Sequence, residues 1–133
     1  VLDLNRILFY ASPQGEMGAR RRRRCFSVVD GIVAGDGNGP LNAAPVPAGL
    51  LIAGINPVAV DAVASRLIGF DWAKIPTILH AFDRSPLPLV DFGCESIRIV
   101  SNDSRLPRRL AEADAALFEF RPHFGWKGHI EAR

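Results

Sequence analysis

The run Asp30-Gly31-Ile32-Val33-Ala34-Gly35-Asp36-Gly37-Asn38-Gly39-Pro40 concentrates oxygen donors among glycines. Glycine at alternate positions lets the backbone bend through positive φ and brings amide N–H groups close to a ligand, while Asp30, Asp36 and Asn38 offer side-chain oxygens. A glycine-rich loop of this kind suits an anion or a hard cation such as Mg²⁺. Two carboxylates and one amide leave a cation's shell incomplete without water or substrate. The spacing is that of neither a P-loop nor a dinucleotide fingerprint opening into a helix. The same residues also suit a tight turn in which Asp and Asn side chains bond their own backbone.

A second constellation is Asn56-Pro57 with Asp61 one turn further on. A helix start presents unpaired N–H groups and partial positive charge, a natural place for phosphate or carboxylate. Asp61 would repel a bare anion and fits better beside a bridging metal. Capping by Asn56 and compensation of the helix dipole by Asp61 is the structural alternative. The tail adds His123, Lys127, His129 and Glu131, which offer metal nitrogens, a proton shuttle or an anion contact, although the histidine spacing matches no zinc pattern. The expected site therefore places Asp30, Gly37, Asn38, Gly39, Asn56, Lys127 and His129 around a small anionic ligand. Asp30, Asp36 and Asp61 carry a divalent cation such as Mg²⁺. Catalytic residues remain unassigned: no Gly-x-Ser-x-Gly elbow occurs, and neither Cys25 nor Cys94 has a context favouring a thiolate.

The elements that must position these residues follow from periodicity. Cys25–Asp30 and Leu50–Ala53 are short β-branched or apolar runs ended by glycine, as expected of buried strands. Residues 31–49, rich in Gly and Pro, are expected to hold no regular element. Val60, Val63, Ala64 and Leu67 form one stripe of a helix over Val58–Gly69. Leu4, Ile7 and Leu8 predict a short helix over residues 3–11 behind Asp3 as N-cap, and Ile78, Leu79 and Phe82 a helix over Ile75–Phe82. Ser96–Ser101 alternates as a strand, Leu106–Leu117 reads as a helix, and Phe118–Glu131 as a looped tail whose Phe124 and Trp126 close the core. Strand, helix and strand in succession predict an α/β fold: one layered domain over residues 1–133 with a mixed or partly parallel sheet flanked by helices.

Composition removes several function classes. The 133 residues are 48% hydrophobic and 23% charged, too apolar for a disordered chain, and no apolar run has the length of a membrane span. Two cysteines cannot supply an iron–sulfur cluster or a cysteine-only zinc site. A reducing, cytoplasmic location is the default expectation, with no membrane partner. Arg20 to Arg24 follow one another without an apolar period, which favours an exposed connector. Nucleic acid is not the expected partner, because net charge is only +2 and no aromatic platform interleaves the arginines. The rival to a ligand pocket is a non-catalytic accessory module that contacts a partner protein through these arginines and the aromatic tail.

The sequences Val29–Pro40 and Gly54-Ile55-Asn56-Pro57-Val58-Ala59-Val60-Asp61-Ala62-Val63-Ala64 resemble the C-terminal part of the domain-of-unknown-function 362 family. Asp3-Leu4-Asn5-Arg6 and Gly125-Trp126-Lys127-Gly128-His129-Ile130-Glu131 are similar to flanking motifs of its bacterial subgroup. The resemblance implies that Asp30, Asn38 and Asp61 mark a site, without naming a ligand. Some relatives carry ferredoxin-like cysteine motifs beside this domain; those cysteines are absent here, so no iron–sulfur cluster is expected within the chain. The opening at Val1 leads to the expectation that an N-terminal part of a longer domain is missing.

Overall fold

The computed structural model describes residues 1–113 and 116–132. Two antiparallel two-stranded sheets are present among them. β1 (Ser27–Gly31) pairs with β4 (Leu50–Gly54), Ser27 lying opposite Gly54 and Gly31 opposite Leu50. β2 (Ala34–Asn38) pairs with β3 (Asn42–Val46). Helices and sheets together bear out the α/β class. The pairing differs from the expected partly parallel sheet: both pairs of strands are antiparallel. The chain returns after β1 through the β2–β3 hairpin rather than through a crossover helix, so β4 comes back in the opposite direction.

That hairpin replaces the irregular stretch expected over residues 31–49. Its alternate glycines do not prevent pairing, because small residues face them: a Cβ on Gly35 would approach the Cβ of Ala43 to 3.0 Å. The strands pair through a close backbone approach that bulky side chains would block.

α2 (Pro57–Leu67) follows β4 directly. Asn56 caps it, its Oδ1 accepting from the N–H of Val58 (2.9 Å) and Ala59 (3.2 Å), with Pro57 at the first helical position. The expected stripe faces inward, with Val60, Val63 and Leu67 buried. Gly54 lets β4 lie against this helix, since a Cβ there would stand 2.8 Å from Cγ2 of Val60. α1 (Leu2–Tyr10) starts before the expected Asp3 cap; Asp3 sits in the first turn, where its Oδ1 accepts from Arg6 Nη1 at 2.7 Å. Its Phe9 and Tyr10 join Val58, Ala62, Val63, Leu67, Ile78, Leu89 and Ile97 in one core cluster.

Beyond α2, regular structure becomes short. The expected helix over residues 75–82 is α3 (Pro76–Leu79) continued by a tight 3₁₀ turn over His80–Phe82. In the strand expected over residues 96–101, Ser96 closes a 3₁₀ turn (Cys94–Ser96), and among the described residues the rest makes one bridge, Arg98 opposite Arg109. The helix expected over 106–117 is reduced to a 3₁₀ turn at Leu110–Glu112, since the preceding residues Arg108 and Leu110 pair back onto Ile99 and Ile97. Residues 114 and 115 of that stretch lie outside the described residues. No helix among those described is long and apolar enough to cross a membrane.

Candidate functional site

The glycine hairpin meets the tail: Asp36, Gly37 and Asn38 engage Arg121 and Phe124 rather than Lys127 or His129. Asp36 is buried at 9% exposure and takes Arg121 in two ways: Oδ2 accepts from Nε at 2.6 Å, and Oδ1 accepts from the Arg121 backbone N–H. Gly37, at φ 79°, donates its N–H to the Arg121 carbonyl at 2.9 Å. Asn38 Oδ1 accepts from the N–H of Phe124 at 3.0 Å, and Gly39 N–H donates to the Gly37 carbonyl. Groups expected to receive an anion thus receive the tail. Asp30 accepts from the N–H of Ile32 at 3.1 Å and is exposed, the local turn geometry weighed above. Lys127 and His129 stand exposed on the turn after Phe124. Phe124 and Trp126, expected to close the core, are 75% and 44% exposed; Ile130 is buried there instead, and its carbonyl accepts from Asp71 N–H at 2.7 Å.

The helix start points elsewhere. Asn56 is buried, and besides capping α2 it donates from Nδ2 to the Leu89 carbonyl at 3.0 Å. Asp61 lines a narrow cleft of about 60 Å³ with Asn5, Thr77 and apolar side chains including Leu2 and Ile78. Crowding by these neighbours desolvates its carboxyl and raises its pKa above the ordinary carboxylate value. Asp36 moves the other way: burial alone would raise it, but the hydrogen bonds and charge of Arg121 outweigh that and hold it below 3.8. Among the described residues no three His, Cys, Asp or Glu side chains converge as a metal site, so Asp30, Asp36 and Asp61 are not gathered around one point.

A long concavity lies on the opposite edge of β4. It has a volume of about 580 Å³, is lined along its length by Gly49–Asn56, and is floored by Ala59, Val60, Val63 and Leu67 of α2. Its far wall is the segment Ser96–Asp103, which leaves a 3₁₀ turn at Ser96 and passes through the bridge residue Arg98. Ile99 N–H donates to the Arg108 carbonyl (2.8 Å), and the Ile97 carbonyl accepts from Leu110 N–H (3.0 Å). Backbone groups alternate sides along an extended chain, so those of Arg98 and Val100 face away from this pairing, toward the groove. Among the described residues β4 has β1 as its single strand neighbour, which leaves its second edge without a strand partner there. An apolar floor thus runs between two unsatisfied backbone edges. The expected strand at 96–101 was the available sequence signal for this wall; the free edge of β4 had none.

Residues 1–66, which contain the glycine hairpin and all but the last residue of α2, match the model of the family described as Domain of unknown function (DUF362). Over these residues, just under half of the chain, the sequence is similar to the DUF362 family. A thylakoid-associated protein, sll1697, of Synechocystis sp. (strain ATCC 27184 / PCC 6803 / Kazusa) is 42% identical over 53 residues, 40% of this chain and 16% of that protein. The chain therefore matches a small part of the length of that curated relative. No solved structure matches.

Within the matched segment, Asp36 is the carboxylate whose environment is most built. Replacing it by asparagine is expected to destabilise the fold by about 1.5–2 kcal/mol at neutral pH, measured by urea denaturation, because a charge-assisted bond to Arg121 is lost. The folded pKa is depressed, so this contribution is present above the unfolded value near 3.8 and disappears as pH falls through the folded value. The wild-type advantage over Asp36→Asn should therefore vanish in strong acid. Outside the segment, burial and the adjacent Glu95 raise the pKa of the Cys94 thiol above its ordinary value.

Proposed function

We propose that the chain is a protein-binding module that accepts an extended strand of a partner polypeptide in the groove between β4 and residues 96–101. A single observation supports this reading: two walls of one groove each present, among the described residues, an unpaired backbone edge beside the apolar face of α2. A strand in the slot satisfies both edges, and every second side chain rests on Val60, Val63 and Leu67. This is strand addition, in which backbone bonds supply affinity and alternate side-chain pockets supply selectivity. Three buried aliphatic side chains would contribute roughly 1.5–3 kcal/mol each, offset by the cost of ordering the peptide, for affinity on the order of micromolar.

A seven-residue peptide alternating valine with threonine and carrying a glutamate at each end, to suit Arg98 and the nearby Arg108, is the probe. Calorimetry is expected to register binding, and the amides of Leu50–Gly54 to gain hydrogen-exchange protection. Ile99→Glu, on the half-buried wall, should weaken binding at least about tenfold. Methylating alternate backbone nitrogens of the peptide should abolish it. Equal binding of the methylated peptide, or no protection of β4, rejects strand addition.

An anion site at a different place from the one expected on the glycine loop and the start of α2 has one observation in its favour. Arg98 and Arg109 face each other across the isolated bridge, and with Arg108 they line a hollow of about 630 Å³ beside the groove. Like charges in such a pairing are unfavourable until an anion joins them. Phosphate titration followed at these arginines tests it, and magnesium titration tests the cation reading. Magnesium should leave Asp36 unmoved, because Arg121 already engages both its oxygens.

A further inference from the structure

We infer that α1 and the arginine segment crossing its end form a surface that lies on an anionic lipid bilayer. α1 has two apolar faces. Phe9 and Tyr10 pack into the core, while Val1, Leu4, Ile7 and Leu8 form a stripe at helical spacing that points to solvent, Leu4 being 70% exposed. The arginine run passes this helix in extended form, and its members divide by alternation. Arg21 lies over the Phe9 ring, 4.7 Å from its centre, and donates to the Pro88 and Leu89 carbonyls. Arg23 Nη1 donates to the carbonyls of Leu8 (2.7 Å) and Ala11 (2.9 Å). Arg20, Arg22 and Arg24 are exposed and, among the described residues, enter no ion pair or side-chain hydrogen bond. The Arg22 backbone N–H, bonded to the Phe9 carbonyl at 2.7 Å, fixes this segment against the helix end.

The result is an aliphatic stripe beside three unpaired guanidinium groups, on a convex helix rather than in a groove. Aliphatic side chains enter the headgroup–acyl boundary and arginines meet lipid phosphates, the arrangement of an interfacial helix. No helix among the described residues is long and apolar enough to cross a membrane, and the surface proposed here lies on one instead. Duplex nucleic acid would use the arginines and leave the leucines idle. The surface is separate from the β4 groove, so the two proposals stand or fall independently.

Sedimentation with vesicles of phosphatidylcholine, with and without about one lipid in three as phosphatidylglycerol, tests this. The whole chain is expected to bind the anionic vesicles and not the neutral ones. The combined change Arg20→Glu, Arg22→Glu and Arg24→Glu should reduce partitioning on the order of a hundred-fold. Leu4→Glu with Leu8→Glu should reduce it at least about tenfold. All these side chains are exposed, so thermal midpoints should hold, and circular dichroism confirms that the variants are folded. Failure of the folded wild type to bind anionic vesicles overturns the proposal. So does arginine-dependent binding, to vesicles or to duplex DNA, that ignores the leucine changes.

Discussion

Truncating Phe9 to alanine is expected to lower the unfolding free energy by about 3–5 kcal/mol, the range for removing a large aromatic from a packed interior. Phe9 is the largest side chain that is fully buried, at 2% exposure, and belongs to the cluster that joins α1 to α2, α3 and Leu89. Its removal withdraws apolar area, leaves a cavity and strips Arg21 of the ring on which it rests. Domains are stable by roughly 5–15 kcal/mol, so the variant should retain only a fraction of that margin. Leu4→Ala on the same helix provides the control. Its side chain meets solvent, so the change should stay within about 0.5 kcal/mol. Urea titration of both proteins decides the matter; comparable losses would mean that α1 does not face the core as described.

The second large effect is at Asn56. Replacement by alanine should cost about 2–4 kcal/mol, because two losses combine. The first turn of α2 loses the oxygen that accepts from Val58 and Ala59, worth about 1 kcal/mol and up to 2 in known caps. The Leu89 carbonyl loses its donor, and an unsatisfied buried acceptor costs about 1–3 kcal/mol. Asn56→Asp separates the two. It restores the cap but sets a carboxylate against that carbonyl, so its stability should fall between wild type and alanine. If aspartate were as good as asparagine, the link to Leu89 would contribute nothing.

Both sites show what could be read in advance. The Asn-Pro pair announces the start of α2 because capping depends on atoms two and three residues away. The stripe Val60, Val63 and Leu67 announces its buried face for the same local reason. The link from Asn56 to Leu89 spans 33 positions and leaves no trace in the order of residues. The glycine hairpin was misread as irregular because glycine weakens strand propensity in general; here the close approach of Ala43 makes the lack of a side chain at Gly35 a condition for pairing. Asp36 was singled out as a metal ligand, whereas its carboxylate engages Arg121, 85 residues on, which was passed over for Lys127 and His129. Nothing local distinguishes one basic residue of that tail from another.

α1 carries the same lesson about polarity. Leu4, Ile7 and Leu8 make an apolar stripe, and the ordinary inference buries such a stripe. Phe9 and Tyr10 take the core instead, and the stripe is left facing water.

The amino-acid order by itself determined the α/β class, the DUF362 resemblance, the cap and inner face of α2 and the exposed course of the arginines. These depend on contacts within a few residues and on motif spacing. Tertiary structure alone decided that the hairpin's polar groups hold the tail, that Asp61 faces a different cleft, and that a slot runs between β4 and residues 96–101. Each of these depends on which distant segments share a wall, and the free energy that selects such partners comes from burial summed over the whole core.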